Sequence, residues 1–360
     1  MKKRYIFYLV VVLNISILVG CGNITYTKYK DSFFDTFDTV TTVVGYAKDE
    51  EEFEAYMDKI YKRSVELHQL FDKYREYDGV NNIKTINDNA GKKPVKVKKE
   101  IIDLLLVSKE WYYKSGEKTN IAMGPVIEIW SEYQNQASVN PENASIPTME
   151  ELEEANKYTD IEKLIINEEE NTVFLEDPNM LLDVGSVAKG YAIELISKEI
   201  EEEGFKSALI SGGGNIRAIG KPLDTERERW GIGIQNPDKS LIDTGNLLET
   251  IFIKDASVVS SGDYQRYFIV DGKVYHHIID PETLMPGNYY RAMTIVTPDS
   301  GIADFLSTSA FLLPLNESKE LIESLKNTDA LWVMKDGTIE TTEGMDKIML
   351  SEGASGGESD

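Results

Sequence analysis

Cysteine and histidine, the residues behind disulfides and most zinc sites, are nearly missing from this sequence. Its 360 residues include one cysteine, Cys21, and three histidines, two of them adjacent at His276-His277. A single cysteine excludes an internal disulfide. Adjacent side chains in a strand point to opposite faces, which argues against a zinc shared by His276 and His277; no HExxH helix offers another. Positive charge is also short: 38 Lys and Arg stand against 62 Asp and Glu, a formal net charge of −24. Nucleic acid needs its phosphates neutralised by cations, so it is excluded as a partner. No segment repeats, which excludes a solenoid. Long apolar runs are absent beyond the first twenty residues.

Those first residues differ in composition from the rest. Lys2, Lys3 and Arg4 precede an almost wholly apolar run over 6–19, closed by Leu18-Val19-Gly20-Cys21. A run this short with a basic flank reads as a secretory signal, with an uncleaved anchor as the alternative. Its ending resembles the bacterial lipobox, which implies cleavage before Cys21 and lipid on the cysteine sulfur. The protein is then expected on the extracytoplasmic face of a bacterial cell membrane. The expected organisation is a signal peptide over 1–20, a tether over 21–32, one large domain over 33–345 and a disordered acidic tail over 346–360.

With 41% hydrophobic residues the chain can bury a large core. Residues 33–46 are dense in β-formers; 50–74 and 99–115 are amphipathic helices. His68, near the end of the first helix, reads as structural, its charge suiting the helix dipole. A polar, acidic stretch over 131–160, with a capping box at Thr148 and Glu151, reads as a peripheral insertion.

Chemistry concentrates in four stretches. Leu182-Asp183-Val184-Gly185-Ser186-Val187-Ala188-Lys189 joins a strand to a helix, and a helix N-terminus favours an anion. Asp183 and Ser186 offer hard oxygens for magnesium and Lys189 a positive charge; a plain helix cap is the competing reading. Gly212-Gly213-Gly214-Asn215 follows a strand and permits close backbone approach to a ligand, or simply a tight turn. The helix over 302–312 places Asp304 and Thr308 on one face, a carboxylate and a hydroxyl suited to a hard cation; Thr308 bonding its own helix is the alternative. Asn120, before an apolar segment, is either a cap or a ligand contact.

These stretches, with Ser261-Gly262-Asp263-Tyr264, His277-Ile278-Ile279-Asp280-Pro281 and Gly124-Pro125, resemble the FAD:protein FMN transferases, the ApbE family, over residues 33–344. The resemblance implies an α+β fold class, a mixed α/β fold of two lobes with FAD between them. It also implies Mg²⁺-dependent transfer of FMN from FAD to a threonine hydroxyl of an extracytoplasmic partner with an FMN-binding domain, releasing AMP. Ser186, Asp304 and Thr308 are then expected on the metal, with Ser307 close by. Phe37, Tyr74, Thr119, Asn120, Ile121, Asp183, Lys189 and Ile278 are expected along FAD. His277 is expected to activate the hydroxyl or steady a phosphate. Asn120 stands where many members carry Asp, and Phe37 where many carry Met. Two alternatives remain: a Mg²⁺-dependent FAD pyrophosphatase, and a flavin-binding lipoprotein without catalysis.

Overall fold

A computed structural model describes residues 25–239 and 245–357. Cys21 and the signal segment lie outside the described residues. In chain order come β1 (Thr27–Thr36), β2 (Thr39–Ala47), α1 (Glu50–Phe71), α2 (Ile83–Asp88), β3 (Val95–Lys96), α3 (Lys99–Lys114), α4 (Gly124–Val139), α5 (Met149–Asn156), β4 (Leu164–Asn167) and β5 (Thr172–Leu175). They are followed by α6 (Ala188–Glu202), β6 (Ala208–Gly212), β7 (Asn215–Ile219), β8 (Trp230–Gln235), β9 (Leu247–Ile253), β10 (Ser257–Gly262), β11 (Tyr267–Val270) and β12 (Lys273–His276). The chain closes with β13 (Tyr290–Thr297), α7 (Ser300–Phe311), α8 (Leu315–Ser324), β14 (Asp329–Met334), β15 (Ile339–Thr341) and α9 (Glu343–Asp346).

An eight-stranded sheet in the order β1-β2-β6-β7-β10-β13-β14-β15 is the frame. Every neighbouring pair in it is antiparallel. Alternation along each strand gives the sheet two apolar faces, and both are covered. On one, α1, α6 and α7 bury Ile60, Leu67, Ala192, Ile196 and Phe305. On the other, the β8–β9 hairpin brings Trp230, Ile232 and Ile251 against Val258 and Leu331. A smaller lobe of α4, α5 and the β11–β12 hairpin has its own apolar centre, where Trp130 packs on Phe268 and Tyr275. The α+β, two-lobed expectation therefore holds, with a cleft between the lobes.

Three expected boundaries move. The tether gives way to strand at Thr27, because β1 pairs with β2 from Thr27↔Ala47 onward. The insertion expected from 131 begins inside α4, whose Trp130 and Ala137 are both buried. The tail expected to be disordered from 346 is packed as far as Gly357: Met349 is buried and bridges Ile251, and the Gly356 carbonyl accepts from the Glu228 and Arg229 N–H groups. Ile348 and Met349 supply apolar surface that an acidic average conceals. Among the described residues no helix is long and apolar enough to cross a membrane.

Candidate active site

A cavity of about 460 Å³ lies between the lobes. Its lining comes from the β1–β2 turn, the end of α1, the start of α6, the β6–β7 turn, α4, α7 and the segment after β12.

The β1–β2 turn holds Phe37 and Asp38 at φ 53° and 50°, as a two-residue hairpin turn that matches strand twist requires. Left-handed φ is costly for Phe. His68 on α1 secures it: Nδ1 accepts the Phe37 N–H at 3.2 Å, and the two rings meet edge to face at 5.5 Å. His68, the basic residue in the last turn of α1, thus has the structural role of a scaffold for Phe37. The β6–β7 turn needs glycine, since Gly213 sits at φ 58° and a Cβ there would lie 2.6 Å from Thr39.

At the start of α6, Asp183 is fully engaged. Its Oδ1 accepts the Gly185 N–H at 2.8 Å and its Oδ2 pairs with Lys73 at 2.7 Å. It lines the cavity as half of an ion pair whose other half sequence reading did not find. Ser186 and Thr308 both line the cavity, and neither hydroxyl has a hydrogen-bond partner among the described residues. Thr308 therefore does not bond its own helix. Asp304 is buried, and its Oδ2 accepts the Gly190 N–H at 2.8 Å. The anion held at the α6 N-terminus is thus, at Gly190, the Asp304 carboxylate itself. Burial raises the pKa of Asp304, with Lys189 and the Gly190 N–H acting the other way.

His276 and His277 diverge as strand geometry demands. His276 is buried; its Nε2 donates to the Gly287 carbonyl at 2.7 Å and its Nδ1 accepts the Ile278 N–H at 3.2 Å. His277 lines the cavity. Its N–H donates to the Arg266 carbonyl at 3.1 Å, and its Nδ1–H reaches the same oxygen at 3.3 Å, which leaves the Nε2 lone pair free. His277 is solvent-exposed by surface area, although protein atoms surround it closely. Desolvation first, then His276 and Arg266, push its pKa down, to about 4. That exposure tempers the burial but not the direction. At neutral pH the ring is an uncharged base.

Other expected contacts divide. Phe37, Tyr74, Lys189 and Ile278 line the cavity, Tyr74 with 66% of its surface exposed. Thr119 and Asn120 also border it, but their polar atoms are committed elsewhere. The Thr119 hydroxyl meets Ser309 at 2.6 Å, and Asn120 accepts the Ala122 N–H while donating to the Thr159 carbonyl. Asn120 is the cap. Ile121 is fully buried and not part of the lining; its carbonyl accepts the Asp183 N–H. Ser307 is not itself in the lining; its hydroxyl meets Ser261 (2.8 Å), which is, and its own helix carbonyl at Asp304 (2.9 Å).

Sequence reading also missed Arg266, Lys118 and Asn215 as lining residues. Lys118 is held by Asp280 at 3.0 Å and Glu282 at 2.9 Å. The Arg266 guanidinium has no carboxylate partner among the described residues. Asn215 is 2% exposed; its Nδ2 makes no hydrogen bond of ordinary geometry, yet it lies near enough to Asp304 to help lower that carboxyl's pKa. A guanidinium without a carboxylate partner in the cavity lining fits an anionic ligand. Two unpartnered hydroxyls beside a buried carboxylate fit a hard divalent cation completed by ligand oxygens. No cluster of three or more His, Cys, Asp or Glu suited to a metal occurs among the described residues, so a softer zinc-type centre has no donor set.

Oxygen donors, cations and an imidazole converge on one cleft between the two lobes. Comparison with known proteins shows the family. The chain belongs to the ApbE family, whose profile matches residues 36–332. Among its relatives, a protein of Klebsiella pneumoniae (strain 342) named FAD:protein FMN transferase is 29% identical over 76% of this chain and 82% of its own. One of the same name from Treponema pallidum (strain Nichols) is 31% identical over 72% of each. The crystal structure of the ApbE protein of Thermotoga maritima superposes with a TM-score of 0.76 at 26% identity, covering 90% of this chain and 99% of that one.

Proposed function

We propose that this protein transfers FMN from FAD to a threonine hydroxyl of a partner protein, with release of AMP, from the outer face of a bacterial membrane. The carrying observation is the pairing, across one cleft, of a neutral His277 with the Asp304, Thr308 and Ser186 oxygens. The family and the shared name of its relatives support transferase chemistry. The Leu18-Val19-Gly20-Cys21 ending supports a lipid anchor on Cys21.

His277 Nε2 takes the proton of the incoming hydroxyl as its oxygen attacks the FMN phosphorus. The bond from that phosphorus to the bridging oxygen breaks, and AMP leaves with the oxygen. Arg266 holds the Nδ1–H through its carbonyl, so the imidazole keeps the tautomer the step needs. Lys189, Arg266 and the Asn215 amide bind phosphate oxygens. Asp304, Thr308 and Ser186 would hold Mg²⁺, which neutralises phosphate charge. Local cations therefore let a chain of net charge −24 accept a dianionic diphosphate.

Incubation with FAD, Mg²⁺ and a protein bearing an FMN-binding domain, followed by intact-mass spectrometry, tests this function. A mass gain of one FMN on threonine is expected; an unmodified partner beside free FMN and AMP identifies a hydrolase instead.

A further inference from the structure

Helices α6 and α7 are pinned together at two points one helical turn apart. At the first, the Gly190 N–H donates to Asp304, and a Cβ on Gly190 would lie 2.3 Å from the Ser300 carbonyl oxygen. The second lies four residues further along α6, where Glu194 Oε2 accepts the Ser300 N–H at 2.8 Å. Ser300 is the first residue of α7, and Asp304 and Thr308 follow at intervals of four on the same face.

Glu194 is only 4% exposed. Arg217 Nε on β7 approaches its Oε2 at 3.3 Å, and Lys198 Nζ approaches its Oε1 at 3.1 Å. Lys198 also reaches Asp299 at 3.2 Å, the residue that caps α7 through the Gly301 and Ile302 N–H groups. One buried carboxylate thus joins α6, β7 and α7. Those elements carry Lys189, Asn215, and Asp304 with Thr308. Further along, α7 packs through Ala303, Phe305, Leu306, Ala310 and Phe311, and its Ser307 and Ser309 hydroxyls bond Ser261 at 2.8 Å and Thr119 and Ser115 at 2.6 and 2.9 Å. Those hydroxyls can rotate to follow a small shift of the helix, whereas the backbone N–H of Ser300 has a fixed direction and ties the first turn of α7 directly to α6. Buried ion pairs add little net stability, so fold stability alone does not account for the arrangement.

We propose that Glu194 is a positioning residue: through the Ser300 N–H it sets the register of α7 against α6, and so holds Asp304 and Thr308 opposite Ser186. The role rests on the cation site proposed above.

Two double variants isolate the hydrogen bond. E194Q/R217M removes the ion pair but keeps a carbonyl oxygen to accept the Ser300 N–H. E194M/R217M removes both, with a volume-matched apolar pair of the kind that leaves stability nearly unchanged. Mn²⁺ binding is read by electron paramagnetic resonance, with thermal melting as the folding control. Losing an outer partner of a metal ligand typically weakens binding about 10- to 100-fold. That loss is expected for E194M/R217M only, with E194Q/R217M close to wild type. Equal Mn²⁺ affinity in the two folded doubles overturns the positioning role. If the wild type takes up no Mn²⁺, it is the cation site that fails. The doubles are then compared by FAD binding, where a weaker E194M/R217M supports the role and equal dissociation constants overturn it.

Discussion

Replacing His277 by alanine tests the base directly. The ring makes one weak polar contact through Nδ1, at 3.3 Å, to a carbonyl that also accepts the His277 backbone N–H. The backbone bond survives the substitution, and the lost side chain borders open cavity, so the fold should hardly notice. The chemistry should. General-base assistance contributes about 10²–10⁴-fold, equivalent to roughly 2.7–5.4 kcal/mol of barrier. Single-turnover transfer should slow by that factor while the FAD dissociation constant, read by flavin fluorescence, stays within a few-fold. The pH profile sharpens the test. The depressed pKa, about 4, keeps the base form intact as pH falls through 6.5, so the wild-type rate should hold to about pH 5 and drop only below it. A half-maximal rate near pH 6.5 would contradict the environment assigned to the ring. An H277A rate within a few-fold of wild type would remove the base altogether.

Three further substitutions probe the rest of the cleft. Asp304→Asn keeps an oxygen for the Gly190 N–H but loses the charge; it should abolish Mg²⁺-dependent transfer with a melting temperature within a few degrees of wild type, and full transfer by D304N at ordinary Mg²⁺ would refute the cation site. Arg266→Gln leaves the backbone carbonyl on His277 intact, so a loss of about tenfold or more in FAD affinity or rate reports the guanidinium alone; unchanged values would make Arg266 a bystander. Gly190→Ala places a methyl group 2.3 Å from the Ser300 carbonyl and 2.5 Å from Asp304 Cβ. Overpacking of that kind typically costs about 1–3 kcal/mol, and a wild-type melting temperature for G190A would show that the two helices can part freely.

Local periodicity made much of the frame legible. The helix read over 99–115 forms as Lys99–Lys114, and the one read over 302–312 as Ser300–Phe311. The Thr148–Glu151 capping box forms as well. Asp304, Thr308, Ser186 and His277, which all line the cavity, each sit in a compact motif. Lys73 and Arg266 do not, and what brings them to the cavity is convergence of separate segments: Lys73 meets Asp183 across 110 positions of chain. Residue type also misled where a polar side chain had a structural use. Asn120 caps a turn, Thr119 bonds Ser309, and Ser307 faces Ser261. Their hydroxyl and amide groups look identical in sequence to those of Ser186 and Thr308, and only the fold tells which oxygens are left without a partner.

The central claim is transfer to a hydroxyl, with AMP as leaving group. Its most direct measurement is the ratio of AMP released to FMN covalently bound when FAD is incubated with the wild-type enzyme, Mg²⁺ and an excess of acceptor protein. One AMP per covalent FMN, lost when the acceptor threonine is replaced by valine, is the predicted result. AMP release that continues undiminished with the valine acceptor, alongside free FMN, would contradict it.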